Sequence, residues 1–367
     1  MSRDLHRLHL VVSGQATDLA EWGDDGWRGL ATQAEEEGVE GLFYQRCRAA
    51  GVPLPADIEE EFRAVYRETA ELNFVALEEL RGVLEGLQDE DVAPLVLPGA
   101  PLLALYPDPG CRPMDDIDIL VPPGFGPRLK EALEVCGFTS PARHNELFVR
   151  GRLTLDLHDD LLNCGRIGSR RHAGWMEPGE VWRDRREEWV EGIPMTVMCR
   201  EDSLLFTAVH ALRHGFGRFV WFVDLHFLMR EPLDWERLRA KAERYRLERP
   251  LLYGLRFLRD RLKAELPNRG VEWLEEMRLR SLEERLMERA FVDRGRGEWG
   301  DLLWSFSVAS RWRQCLFVIE TVFPKPSVLL QVFPRLPRPL LPLAYPLRIV
   351  QLLARGVSQL AKLVRSR

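Results

Sequence analysis

No two of the six cysteines (Cys47, Cys111, Cys136, Cys164, Cys199 and Cys315) stand in a Cys-x-x-Cys pair. That argues against a cysteine zinc site and offers no disulfide framework, so a reducing, cytoplasmic setting is the simplest expectation. The chain also lacks any run of about 18 apolar residues, which a spanning helix needs. Its opening, MSRDLHRLHLVVSGQ, places an acid and two histidines where a secretory leader would carry its apolar core. Positive charge is short as well: 51 Lys and Arg face 57 Asp and Glu, leaving a net charge of −6. Eight of those bases fall after Glu320, beyond which no acid occurs, so the body before it is more acidic still. Broad binding to nucleic acid needs a basic face, and this composition argues against it.

What is present is an ordinary globular balance, 46% hydrophobic over 367 residues, enough for two domains or for one with a large appendage. Apolar residues recur at helical spacing from Leu19 to Leu87. The longest periodic stretch is Asp57–Leu87, after Pro53 and Pro55. The period then changes. Ala93–Leu97 reads as a strand, Gly99–Tyr106 as a turn entering a short helix, and Asp116–Val121 as a second strand. Phe125–Cys136 reads as an amphipathic helix closed by Gly137, and Leu147–Val149 with Leu153–Leu157 as a hairpin across Arg150-Gly151-Arg152. Gly165–Gly192 is irregular in composition and Met195–Met198 is a short strand. Helix returns from Asp202 to about Leu286, with Asp202 or Ser203 as N-cap and Pro232 and Pro250 as breaks. Trp304–Phe323 is aromatic-rich and is expected to pack on the body. The reading is an α+β protein: a helical region over 1–90, a small mixed-sheet α/β core over 91–200, a second helical region over 201–325, and a Pro-rich linker with a basic amphipathic helix over 326–367.

Chemistry concentrates in Leu95–Val121. In Asp116-Ile117-Asp118 the acids stand two residues apart, so on a strand both carboxylates project to one side. Ile117 and Ile119-Leu120-Val121 anchor them in buried sheet. Asp156, in the alternating Leu153–His158, belongs to a strand that could pair beside the first and bring a third carboxylate. Three carboxylates around Mg²⁺, or Mn²⁺ in its place, are the recurrent device for phosphoryl and nucleotidyl transfer. Upstream, Gly99-Ala100 lies between strand and helix, where backbone can approach a phosphate.

The order of strand, Gly turn, helix, Asp-x-Asp strand and later Asp strand resembles the DNA polymerase β-like nucleotidyltransferase superfamily. Within it the chain is similar to a bacterial family of uncharacterised nucleotidyltransferases. The matching segments are Gly99-Ala100, Arg112-Pro113-Met114-Asp115-Asp116-Ile117-Asp118-Ile119-Leu120-Val121, Leu155-Asp156-Leu157-His158, His210-Ala211-Leu212-Arg213-His214-Gly215 and Trp221-Phe222-Val223-Asp224. The likeness spans roughly residues 30–300. It implies a small mixed sheet with helices, Mg²⁺ dependence, and transfer of a nucleoside monophosphate from an NTP to an acceptor hydroxyl. Three positions depart from the pattern: Pro98 where lysine is common, Ala100 in place of a hydroxyl residue, and Asp115 in place of glycine.

The expected site thus has Asp116 and Asp118 as metal ligands and Asp156 as third ligand or base. Gly99, Ala100, Arg112, His158, His210 and His214 are the substrate-binding candidates. Arg112 either meets substrate phosphate or bridges to Asp108 or Asp115; Asp224 and Arg218 are read as a candidate structural pair. His210 and His214 share a helix face without the glutamate of a zinc hydrolase motif between them. The acceptor is left open between a small molecule and a protein. From Tyr345 to Arg367, Ile349, Leu353, Val357, Leu360 and Val364 share one face and Arg348, Arg355 and Lys362 another, a pattern suited to an anionic membrane surface, to the acidic body of the chain or to a protein partner. The alternative reading, favoured by Pro98 and Ala100, is a degenerate relative that binds without turnover. A DxD glycosyltransferase is a weaker reading, because the first ninety residues read as helices.

Overall fold

The computed structural model describes residues 2–15, 23–88, 94–121, 124–141, 146–165, 167–295, 297–332 and 344–347. The protein is α+β. Four helices open the chain: α1 (Ser2–Val12), α2 (Gly23–Glu37), α3 (Glu40–Ala49) and α4 (Ala56–Gln88). Helix α4 starts directly after Pro55, and its stripe of Leu77, Leu80, Val83 and Leu87 is buried against the sheet. Near its start, Ile58 and Phe62 instead join the larger core formed by the other helices. One long helix therefore ties both cores together.

The sheet strands are β1 (Leu95–Val96), β2 (Ile117–Leu120), β3 (Leu147–Arg150), β4 (Leu153–His158), β5 (Arg186–Val190) and β6 (Ile193–Val197), with α5 (Gly126–Val135) and α6 (Pro178–Arg183) between them. Their spatial order is β3-β4-β2-β1-β6-β5. The β2–β4 and β1–β6 pairs are parallel and the others antiparallel. The β3–β4 hairpin turns at Gly151, whose φ of 58° is left-handed backbone that glycine adopts without strain. Ile117, Ile119, Leu155 and Leu157 face the smaller core, with Leu129 and Leu133 of α5. The expected pairing of the two aspartate strands is present.

Strand β5 lies in the stretch read as irregular. Arg-Glu-Glu-Trp alternates partly exposed with exposed positions at the sheet edge and only Val190 is buried, so it carries no apolar period to read.

The second helical region runs through α7 (Arg200–Arg213), α8 (Val220–Arg230), α9 (Trp235–Tyr245), α10 (Glu248–Arg256), α11 (Asn268–Glu276), α12 (Ser281–Val292), α13 (Gly297–Trp304), α14 (Arg311–Val322) and α15 (Pro326–Val332). Helix α7 starts earlier than expected, with Cys199 at its N-cap. Asp202, expected to cap it, is fully buried, and both its oxygens accept from Lys241 Nζ at 3.0 and 2.8 Å. The break expected at Pro250 falls just ahead of it, between α9 and α10. Pro250 itself sits in the first turn of α10, where a missing N–H costs nothing. Pro232 does fall between α8 and α9. In the aromatic-rich segment Trp304 and Phe317 are buried, whereas Trp312 is 74% exposed.

Among the described residues no helix is long and apolar enough to cross a membrane. Of the expected tail helix, Ala344–Leu347 is helical, and 348–367 lies outside the described residues.

Candidate active site

Parallel pairing of β2 with β4 sets the register that builds the site: Asp118 stands opposite Asp156, and Leu120 opposite His158. Alternation sends Ile117, Ile119, Leu155 and Leu157 into the smaller core and Asp118, Asp156 and His158 to the other face. One ligand atom from each of these three lies within 4.8 Å of the others, a possible Asp-Asp-His cation site. His158 Nε2 is 2.7 Å from Asp118 Oδ1 and 3.6 Å from Asp156 Oδ2. At 2.7 Å from a carboxylate that nitrogen must carry a proton and donate it. Asp116 was expected inside the strand; it precedes Ile117, the first paired residue, and is exposed at the sheet end.

The electrostatics show an unbalanced site. Partial desolvation first, then the negative charges of Asp118, Asp115 and Asp156, push the Asp116 carboxyl up to about 6, against a smaller opposing pull from His158. For Asp118, burial acts upward, but the hydrogen bond and charge of His158, with help from His210 and Arg213, outweigh it and hold the carboxyl below its ordinary value. Burial works against a charged His158, yet the hydrogen bond to Asp118 and the charges of Asp118 and Asp156 raise it. His158, with the charge of Arg213, thus stands against the carboxylates of Asp116, Asp118 and Asp156. The donor set is mostly hard oxygen, and the charge it lacks is positive, so the residues fit a divalent cation.

Helix α7 supplies the neighbouring side chains. His210 is pushed down to about 3, by burial first and then by His214 and Arg213, with Asp118 opposing, so it is a neutral ring near the carboxylates. The His210 and His214 rings lie 4.7 Å apart, and Trp221 of α8 packs 5.0 and 5.3 Å from them. His214 is exposed and Trp221 partly so.

Arg112 is placed elsewhere. Its Nε and one terminal nitrogen each lie 2.9 Å from the two oxygens of Asp224, whose Oδ1 also accepts from Tyr106 Oη at 2.7 Å. The pair is buried, so Arg112 bridges to neither Asp108 nor Asp115 and is not presented to a ligand in this conformation. Asp115 instead takes Arg218 at 2.6 Å. Arg218 and Asp224, read together as a structural pair, belong to two different ion pairs.

Gly99 lies just beyond the end of β1, toward the start of β2. Strand β1 runs antiparallel to β2, and Leu97 N donates to Asp118 O at 2.9 Å, so the chain leaves β1 at the end where β2 begins. Gly99 follows there. Ala100 is fully buried in the smaller core and opens a short 3₁₀ segment, Ala100–Leu105.

Two contributors were not singled out from the sequence. Arg213 acts electrostatically on both Asp118 and His158. Asn73 of α4 donates from Nδ2 to Pro109 O at 2.6 Å and Arg112 O at 2.8 Å, pinning the loop that leads into Asp115 and Asp116. Gly110 in that loop touches Tyr66 so closely that an added Cβ would lie 2.7 Å from its ring. Asn73 had a signal: it lies on the buried stripe with Leu77 and Leu80, a polar residue at an apolar position. Beside Asp116, a cleft of about 350 Å³ opens between α4 and the start of β4.

Among solved structures the chain is similar to an antigenic nucleotidyltransferase-like protein from Paracoccidioides brasiliensis. It is 14% identical, with a TM-score of 0.34, over 53% of this chain and 94% of that one. No curated protein matches the chain. The sequence model of the uncharacterised nucleotidyltransferases matches residues 23–263, from α2 through the sheet to the end of the α10 region. That stretch contains every carboxylate and histidine of the site, and the chain belongs to the uncharacterised nucleotidyltransferase family.

Proposed function

We propose that the chain is a Mg²⁺-dependent nucleotidyltransferase that moves a nucleoside monophosphate from an NTP to an acceptor hydroxyl. The observation that carries this reading is the β2–β4 register, which sets Asp118 beside Asp156 on one face, with Asp116 directly ahead of β2. A protein that only binds has no use for three like charges at such close quarters. The degenerate alternative is therefore not favoured.

Asp116 and Asp118 would hold the ion, with Asp156 as third ligand or as base toward the acceptor hydroxyl. When bound, Mg²⁺ supplies the positive charge that the triphosphate and the carboxylates lack; Mn²⁺ serves the same oxygen donors. The protein's own residues do the rest. His158 fixes the Asp118 carboxylate through its Nε2 proton. Gly99 and the amides after it face the triphosphate, and neutral His210 closes the site without adding charge. The acceptor oxygen bonds to the α-phosphorus, the bond to pyrophosphate breaks with its electron pair leaving on pyrophosphate, and the hydroxyl proton passes to a site carboxylate.

Calorimetric titration of Mg-ATP, Mg-GTP, Mg-CTP and Mg-UTP tests the reading. Wild type is expected to bind at least one of them, and Asp116→Asn/Asp118→Asn to bind it about ten- to a hundredfold more weakly, the scale of losing ligands to the ion. Equal affinity in both proteins, or none in either, would count decisively against it.

The ring cluster of Trp221, His210 and His214 is where the nucleobase would stack. Stacking on an aromatic is worth about 1–3 kcal/mol per base. Trp221→Ala is thus expected to raise the Kd for Mg-NTP about tenfold while Trp221→Phe recovers most of it; an unchanged Kd in Trp221→Ala would place the base elsewhere.

A further inference from the structure

The cleft beside Asp116 has a shape and a lining of its own. Leu72, Val75 and Ala76 of α4 and Met114 make an apolar wall, and the rest of the lining includes Asp115 and Asp116 ahead of β2 and Arg152 from the β3–β4 turn. Its volume of about 350 Å³ is that of a small-molecule site rather than a surface dimple. The wall is preformed, because Asn73 and the close Gly110–Tyr66 contact fix the loop 109–112 on α4.

Arg152 is the informative residue. The neighbouring Arg150 is tied to Glu79 at 3.6 Å and donates to Cys136 O at 2.8 Å. Arg152 is exposed and has no hydrogen-bond or ion-pair partner among the described residues, although it follows the tight turn at Gly151. A guanidinium beside an apolar wall, with a reactive carboxylate edge beyond, reads as a receptor for an anion carried on an apolar body.

We propose that this cleft is the acceptor site, and that the acceptor is a small molecule with a hydroxyl at one end, an apolar middle, and a carboxylate or phosphate at the other. The anion pairs with Arg152, the apolar middle lies on Leu72, Val75 and Met114, and the hydroxyl reaches the Asp116 edge of the carboxylate face. Asp116 lines the cleft and stands two residues before Asp118 of the cation site, so an acceptor held this way approaches from the side of the α4 wall, leaving the α7 side to the nucleotide. The assignment rests on the nucleotidyl-transfer reading for its chemistry, but not for its binding.

Binding is therefore measured on the full chain with neither metal nor nucleotide present, by NMR titration of three probes. Two are anionic, 3-(4-hydroxyphenyl)propionate and 2-(4-hydroxyphenyl)ethyl phosphate; the third is neutral, 3-(4-hydroxyphenyl)propionamide. At least one anionic probe is expected to bind, and which one does separates the carboxylate from the phosphate class. The amide is expected to bind about tenfold more weakly, the size of one charge-assisted contact. Arg152→Gln should weaken the anionic probe by a similar factor and leave the amide unchanged, and Val75→Trp, at a half-exposed position on the wall, should remove both. Failure of both anionic probes to bind, or binding indifferent to Arg152→Gln and Val75→Trp, overturns the proposal. Probe binding in a protein that binds no Mg-NTP would sink the nucleotidyl-transfer reading and keep the anion-reading cleft. Mg-NTP binding without probe binding would do the reverse.

Discussion

Asp224→Ala is expected to lower the stability of the protein by about 3–5 kcal/mol, the cost of breaking a buried ion pair and leaving one partner charged. The size follows from burial. Arg112 is 6% exposed and Asp224 1%, so water cannot replace the lost carboxylate. Three donors lose their acceptor at once: two guanidinium nitrogens at 2.9 Å each and the Tyr106 hydroxyl at 2.7 Å. Against a typical total of about 5–15 kcal/mol, that is a large share. Urea unfolding should show a lower midpoint with little change in slope. Exposed pairs such as Asp115–Arg218 are worth at most about 1 kcal/mol, and a loss that small for Asp224→Ala would refute the buried-pair account. Removing both charges is the control. Arg112→Met/Asp224→Leu should recover more than half of the loss, because apolar residues of similar volume replace a buried pair at little cost. The effect reaches the site as well. Asn73 and Arg112 together hold the loop from which Asp115 and Asp116 emerge, so Asp224→Ala should also weaken any ligand that depends on Asp116.

That ion pair also marks where sequence reading stops. Asp116-Ile117-Asp118 and Leu155-Asp156-Leu157-His158 announce themselves because each combines strand alternation with acids on one face, and two such strands pair most simply in register. The hairpin at Gly151 and the helix over Ala56–Gln88 were legible for the same reason: one local period and its punctuation decide them. Arg112 and Asp224 are 112 residues apart, and nothing local selects one partner over Asp108 or Asp115. Geometry chose the acid that α8 brings under the loop. The same limit hid Lys241 as partner of Asp202, which made a buried salt bridge look like a helix cap. Strand β5 was missed because at the sheet edge only Val190 of its five residues is buried, too little for a readable pattern. The Asp118–His158 hydrogen bond needed the parallel register itself, since only then does a residue two beyond Asp156 reach back to Asp118.

A second large effect is expected on acidification. His9 of α1 and His226 of α8 meet edge to face at 4.9 Å, are 1% and 2% exposed, and among the described residues neither ring has a hydrogen-bond partner. Burial, then the mutual repulsion with His226 and His6, pushes His9 down to about 3; burial, then Arg230, pushes His226 down to about 4. The folded protein keeps both rings neutral, while the unfolded chain protonates them near 6.5. Their contribution is fully present above that value and is lost as pH falls through the window from 6.5 toward 3–4. At pH 5 each shift amounts to about 2 kcal/mol, or about 4 kcal/mol together. His210, also pushed down to about 3, adds in the same direction, whereas His158, whose folded value is raised, acts in the opposite one. His9→Phe/His226→Leu separates these terms. Wild type should lose several kcal/mol between pH 7.5 and pH 5.0 by urea unfolding, and the double variant markedly less, by about 4 kcal/mol. Parallel losses in the two proteins would show that the buried pair does not govern the acid limb. Because α1 and α8 join through this contact, acid should loosen the N-terminal helix from the second helical region before it reaches the sheet, so amide exchange along Ser2–Val12 should rise before exchange along Leu153–His158 does.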